Sequence, residues 1–240
     1  MDINADLGEG AGNDKQIMPL ITSCNIACGG HYGDENSIGS TLRLARKNQV
    51  RVGAHLSFPD RLNFGRKKLN LSAKELASSL HSQLSIFLQL CREEKLKLHH
   101  IKTHGALYNY GANEPKYVNV LIELLSQLPN PPIIYLQQNT LLHQQAKELF
   151  PVKKEAFIDR RYIDGTTLVS RNASNALITD PKEAWDQFYL LYNNHQIIGI
   201  DGKERTLSAD TFCVHGDHPA SVKILKYIHQ QLHKNGISLK

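Results

Sequence analysis

The sequence predicts a single-domain α/β barrel over residues 1–240, and three observations carry the prediction. Short extended runs alternate with amphipathic helical stretches, the pattern of parallel βαβ units. A length of 240 residues suits one barrel, and no linker rich in Pro, Gly or Ser, no internal repeat and no low-complexity tract divides the chain. Polar clusters follow almost every candidate strand, which is where such a barrel gathers its active site.

In chain order, residues 1–4 form the first extended run. Residues 36–49 read as a helix and 50–55 as a strand. The next helix opens on Ser72-Ala-Lys-Glu75, a capping-box pattern, and Leu76, Leu80, Leu84, Phe87, Leu88 and Cys91 follow at spacings of three and four. Residues 98–104 and 133–137 are extended, with helices expected over 115–127 and 140–149. Residues 156–159 give a weaker extended signal. Asp180-Pro181-Lys-Glu183 starts another helix, because proline in the first turn loses no hydrogen bond, and Trp185, Phe188 and Leu191 or Tyr192 can face the core. Residues 195–208 read as an irregular or hairpin-like excursion, 211–215 as a strand, and 218–235 as a last helix with Gly236 at its C-cap.

Composition excludes several function classes. Hydrophobic residues at 41% and charged residues at 21% describe a globular chain. A net charge of +5, spread along the sequence, is too mild for a nucleic-acid partner, and short basic clusters such as Arg66-Lys67-Lys68 read first as solvated surface. An acidic start without an apolar h-region, and no run near the ~18 apolar residues of a span, predict a cytoplasmic protein without a membrane partner. Four unevenly spaced cysteines, Cys24, Cys28, Cys91 and Cys213, predict reduced thiols.

The polar clusters are Asn4 to Glu9, Gly53 to His55, Ile101 to Gly105, Phe157 to Arg160 and Cys213 to Asp217. His55, His104 and His215 each end a separate extended run, as expected of ligands or acid–base groups meeting at a barrel mouth. His99, His100, His143, His195, His229 and His233 lack that context and read as surface or helix residues. Residues 23–34 crowd Asn25, Cys28, His31, Asp34 and three glycines together. They form either a tight turn closed by a helix cap at Asp34 or a ligand-facing loop in which His31 and Asp34 move protons or hold a metal. Gly8 to Gly12 resembles a phosphate loop only in its glycines, and no P-loop, G-x-S-x-G elbow or H-E-x-x-H helix is present.

Taken in order, these segments resemble the LamB/YcsF family. The resemblance rests on Asp2 to Gly10, Asn25 to Gly29 with His31 and Gly33-Asp34, Gly53 to His55, Phe58 to Arg61 and Asn63 to Arg66. It continues through Lys102, His104 to Asn109, Asp159-Arg160, Tyr162, Asp164-Gly165, Leu168-Val169, Arg171 and His215 to Asp217. The family pattern carries proline where this chain has Leu56 and Thr103, and Ala and Phe where it has Cys24 and Gly30. The resemblance implies an irregular seven-stranded barrel akin to polysaccharide deacetylases. It further implies a share, with partner subunits B and C, in the ATP-dependent opening of the 5-oxoproline lactam to glutamate. Because the chain lacks a nucleotide motif, ATP is expected to be used by the partners.

On that basis Asp6, His55 and His104 are the expected catalytic groups, one acting on water and another protonating the departing ring nitrogen. Lys102 and Arg66 are candidates for an anionic group of the substrate, with Asn25, His31, Asp34, His215 and Asp217 completing the polar shell. Two alternatives stay open. One is a stand-alone metal-dependent deacetylase or amidase, its divalent ion held by Asp6, His31, His55 or His104. The other is a non-catalytic assembly subunit.

Overall fold

The computed structural model of the chain describes residues 1–239. Seven parallel strands close into a barrel: β1 (Ile3–Leu7), β2 (Ser23–Ala27), β3 (Arg51–Leu56), β4 (Leu98–Thr103), β5 (Ile133–Leu136), β6 (Val152–Phe157) and, after a hairpin of β7 (Gln196–Ile198) and β8 (Glu204–Thr206), β9 (Thr211–His215). Strand β9 closes the ring by pairing with both β6 and β1.

Each strand divides its residues by period two. In β1, Ile3, Ala5 and Leu7 join the apolar core beneath the helices. Asn4 and Asp6 face the lumen, where Asn4 Nδ2 reaches Glu155 Oε1 of the non-adjacent β6 at 3.0 Å. The lumen is a column of hydrogen bonds. At its base Asp2 accepts from Tyr135 Oη at 2.7 Å and from Ser23 Oγ at 3.0 Å. Above, Asn25 Nδ2 donates to Asn4 Oδ1 (2.7 Å) and Asp6 Oδ1 (2.8 Å), and its Oδ1 accepts from His100 Nε2 at 2.7 Å.

Neither reading of residues 23–34 includes a strand, and β2 occupies Ser23–Ala27. Ser23 and Asn25 point into a polar lumen while Cys24 and Ile26 join the apolar core, so residues 23–27 divide as β1 does. His100 is corrected by the same polar lumen: it lies fully buried in β4, stacked on Tyr135 with ring centroids 4.0 Å apart.

The helices pack outside the strands. They are α1 (Asp14–Ile17), α2 (Glu35–Asn48), α3 (Ala73–Glu93), α4 (Gly105–Asn109), α5 (Pro115–Ser126), α6 (Leu141–Ala146), α7 (Pro181–Asn194) and α8 (Ser221–Lys234). Ser72 and Glu75 cap α3 reciprocally, and Asp180 caps α7. The expected stripe of α3 is buried at Leu76, Leu80, Leu84, Phe87 and Cys91. Helix α8 starts later than residue 218 because His218 Nδ1 accepts from Ala220 N at 3.0 Å and holds that segment in a turn. None of the four cysteines forms a disulfide, and among the described residues no helix is long and apolar enough to cross a membrane.

Candidate active site

The C-terminal ends of the strands deliver the polar clusters to one mouth. Beyond β1, Gly8 (φ 72°) and Gly10 (φ 76°) turn the chain so that Glu9 between them is buried. This left-handed backbone favours glycine. His31 comes from the loop after β2, His55 from β3, and His104 from the residue after β4. Glu9, His31, His55 and His104 each place one ligand atom within 4.8 Å of all the others. His31 Nε2 lies 2.9 Å from Glu9 Oε1, and His104 Nδ1 lies 3.4 Å from the same oxygen. The His31 and His104 rings stack 3.7 Å apart. Gly65 seals this stack, since a Cβ there would stand 2.9 Å from His31 Cβ and 3.0 Å from His104 Cδ2.

The ring nitrogens fix what the cluster can hold. His55 Nδ1 lies 3.1 Å from the Lys102 carbonyl and His104 Nε2 lies 2.9 Å from the Phe64 carbonyl, so in each neutral ring that nitrogen carries the hydrogen. The opposite nitrogens, His55 Nε2 and His104 Nδ1, then present lone pairs to each other across 3.0 Å. Two facing acceptors repel unless a proton or a cation lies between them. A backbone carbonyl behind each imidazole, with a carboxylate in front, is the arrangement that orients metal-bound histidines. Three imidazoles and one carboxylate suit a divalent transition ion, so the residues fit a metal. In that set Glu9 stands where Asp6 was expected, a correction that follows from the inward bend of the loop after β1.

Asp6 has a different post. Its Oδ2 is 3.3 Å from His55 Nε2, while Oδ1 accepts from Lys102 Nζ at 2.8 Å. Lys102 is 2% exposed and also meets Glu155 Oε1 at 3.0 Å and Cys213 Sγ at 3.1 Å. Burial raises the Asp6 carboxyl's affinity for a proton, but His55 and Lys102 outweigh it and hold Asp6 well below the usual range. Burial works against the Lys102 charge, yet Asp6, Cys213 and Glu155 hold its ammonium well above the ordinary value. Burial, aided by Asp6 and Asp217, pushes Glu9 well up. Burial, with His31 and His55 close by, keeps His104 well below a free imidazole. The mouth thus contains a fixed anion, a fixed cation and neutral imidazoles side by side, the environment that separates acid from base roles.

Asp6, His55, Arg66, Lys102, His104 and His215 line one cavity of about 640 Å³. Asn25 supports Asp6 from below. His215 Nδ1 lies 3.0 Å from Asp159 Oδ1, which fixes its ring. Asp217 Oδ2 pairs with Arg66 and lies 3.3 Å from Arg171 Nη1. Asp34 is corrected: it is exposed and accepts from Ser37 N at 2.9 Å as the N-cap of α2, so its carboxylate is spent on the helix. Glu9, Asp159 and Arg160, present in the polar clusters of the sequence but given no role there, are site residues as well. Their signal was position alone, just after the ends of β1 and β6.

The chain is 39% identical over 246 aligned residues to the protein of Staphylococcus haemolyticus named as the A subunit of 5-oxoprolinase, covering all of this chain and 98% of that one. A Staphylococcus aureus protein of the same name is 40% identical with the same coverage. Among solved structures, the lactam utilization protein of Thermus thermophilus superimposes with a TM-score of 0.92 at 31% identity, over all of this chain and 98% of the other. A family 4 carbohydrate esterase of Streptomyces lividans gives a TM-score of 0.52 at 10% identity, over 99% and 89% of the two chains, and shares the fold alone. The LamB/YcsF family model matches residues 1–240, and the chain belongs to that family.

Proposed function

We propose that the chain is the A subunit of an ATP-dependent 5-oxoprolinase, a hydrolase that opens the cyclic amide of 5-oxo-L-proline to L-glutamate together with partner subunits B and C. The observation that carries this reading is the single cavity in which Asp6, His55 and His104 meet Lys102 and Arg66. Full-length relatives bearing the 5-oxoprolinase name supply the substrate. Opening the lactam adds water at the ring carbonyl, breaks the C–N bond and leaves a proton to be placed on the departing nitrogen. In this reading one of the facing imidazoles, His55 or His104, takes the proton from water, passes it across their 3.0 Å gap to the other, and that ring gives it to nitrogen. Asp6 stays ionised beside His55, and Lys102 fixes Asp6 in place.

ATP belongs to the complex and is used by the partner subunits, in keeping with the absence of a phosphate loop from the sequence. The reading places the enzyme in the cytoplasm, where ATP is at hand. The Glu9, His31, His55 and His104 quartet favours a metal-assisted variant of the same hydrolysis. In that variant His55 and His104 would hold the ion in place of carrying protons, and the ion would polarise the amide and lower the pKa of water. A purely architectural subunit has no use for so many buried ionisable groups.

The test is 5-oxoproline conversion with ATP, adding this chain and subunits B and C singly and together. Glutamate is expected only from the full set, and conversion that proceeds without this chain would overturn the assignment.

A further inference from the structure

Arg160 is 4% exposed and lines the active-site cavity, yet among the described residues it makes no ion pair within hydrogen-bonding reach. Its Nη2 donates to the Val169 carbonyl at 2.6 Å, while Nε is buried with no partner. The residue is firmly placed. Gln187 Nε2 donates to its carbonyl at 2.9 Å, and a β-bridge joins Arg160 to Leu177. The neighbouring carboxylate, Asp159, is already engaged by the backbone N–H of His215 at 2.8 Å and by the His215 ring.

The same cavity wall carries Arg171 and Arg66, and these two share one carboxylate, Asp217. Three guanidinium groups therefore stand against Asp217 and, without a direct ion pair, Asp159, whose oxygens are bound to His215. Burial and the nearby Arg171 charge lower Arg160 to about 10, which leaves it cationic at neutral pH. A buried cation that lacks a direct ion pair costs free energy that the fold recovers only in part from its own contacts. A planar guanidinium with one bond to a carbonyl and donors to spare suits an oxyanion that arrives with a ligand, because its fork can bind such groups in two places.

We infer that Arg160, assisted by Arg171, forms an oxyanion-binding subsite in this cavity, and that the group it takes is the carboxylate of the lactam substrate. The identity of that molecule rests on the 5-oxoprolinase reading; the oxyanion site does not. Such a subsite selects lactams that carry a carboxylate on the ring over the bare ring, and it anchors the substrate while the ring carbonyl turns to the histidines.

Binding of 5-oxoproline, 2-pyrrolidinone and inorganic phosphate would be measured by calorimetry on the chain alone and in the complex with B and C, for wild type, Arg160→Gln, Arg160→Lys and Arg171→Gln. The expected result is at least a tenfold preference for 5-oxoproline over 2-pyrrolidinone in wild type. That preference should be lost in Arg160→Gln and partly regained in Arg160→Lys. In turnover assays the loss should fall on KM more than on kcat. Should Arg160→Gln fail to fold, Arg171→Gln, at the more open edge of the cavity, is expected to lower the preference by itself. An unchanged preference in folded variants, or no preference in wild type, would overturn the subsite. Phosphate binding more tightly than 5-oxoproline, and lost in the same variants, would overturn the carboxylate assignment. If 5-oxoproline binds in an Arg160-dependent way but the full complex makes no glutamate, the 5-oxoprolinase reading fails and the subsite stands.

Discussion

His55 Nε2 and His104 Nδ1 face each other across 3.0 Å, each with its other ring nitrogen bound to a backbone carbonyl. The two rings are therefore held in a tautomeric state that neither can leave without breaking a buried hydrogen bond. With Glu9 and His31 alongside, this pair makes a cation the natural occupant. Protein purified without chelator is expected to contain close to one equivalent of a divalent transition metal by elemental analysis. Glu9→Gln with His31→Ala should abolish it, and equal metal content in that double variant would rule the quartet out.

Replacing His104 removes a group that lines the cavity and packs on His31. A placed proton-transfer group contributes about 10²–10⁴-fold in rate, so His104→Ala should lower turnover by the reconstituted complex at least a hundredfold. Thermal unfolding measured beside it separates chemistry from folding. A variant that melts early yet keeps near-normal specific activity would exclude the catalytic role.

Lys102 is buried between Asp6 and Glu155, at 2.8 Å and 3.0 Å. Removing one partner of a buried ion pair leaves uncompensated charge, so Lys102→Ala should cost about 3–5 kcal/mol in urea unfolding. Lys102→Met combined with Glu155→Gln should restore part of that loss. A single variant as stable as wild type would show that the triad contributes little to the fold.

Stability should fall on the acid side of neutrality. His31, His99, His100, His104, His143, His215 and His218 all have folded-state pKa values below the free imidazole, in each case chiefly through burial. Unfolded histidine titrates near ~6.5, so below that pH the unfolded chain gains protons that the folded chain refuses. Their contribution is complete above that pH and is lost as pH falls through the depressed folded values. Glu9, Asp14 and Glu155, raised by burial, act in the opposite sense, but they are three groups against seven. The melting temperature should drop between pH 7 and pH 5, and a flat profile would contradict the shifts.

Much of this was legible in the sequence where ordinary rules apply. Helices α3 and α7 announce themselves because Ser72 and Asp180 cap them and an apolar stripe follows. The histidines at strand ends were legible because polar residues there have no packing reason to exist. Strand β2 was not, although Cys24 and Ile26 join the apolar core and alternate with Ser23 and Asn25, because Ser23 and Asn25 face a hydrogen-bonded lumen and the five residues sit beside a glycine-rich loop. His100 escaped notice because it too faces that lumen. Asp34 shows two readings resolved: of a helix cap and a proton-moving or metal-holding carboxylate, capping α2 is the task that occupies it. Glu9 sat among glycines that resembled a phosphate loop, and only the positive φ angles of Gly8 and Gly10 reveal that they exist to bend Glu9 inward.

The hydrogen-bonded column from Asp2 through Asn4, Asn25 and His100 to Asp6 bears on calorimetry as well as on the site. Exposing apolar surface raises the heat capacity on unfolding, whereas exposing polar surface lowers it. A barrel that fills its lumen with amides, carboxylates and imidazoles therefore unfolds with a smaller heat-capacity increment than one of equal size filled with aliphatic side chains. Its stability varies more gently with temperature, so the geometry that aligns Asp6 with His55 is held over a broad thermal range.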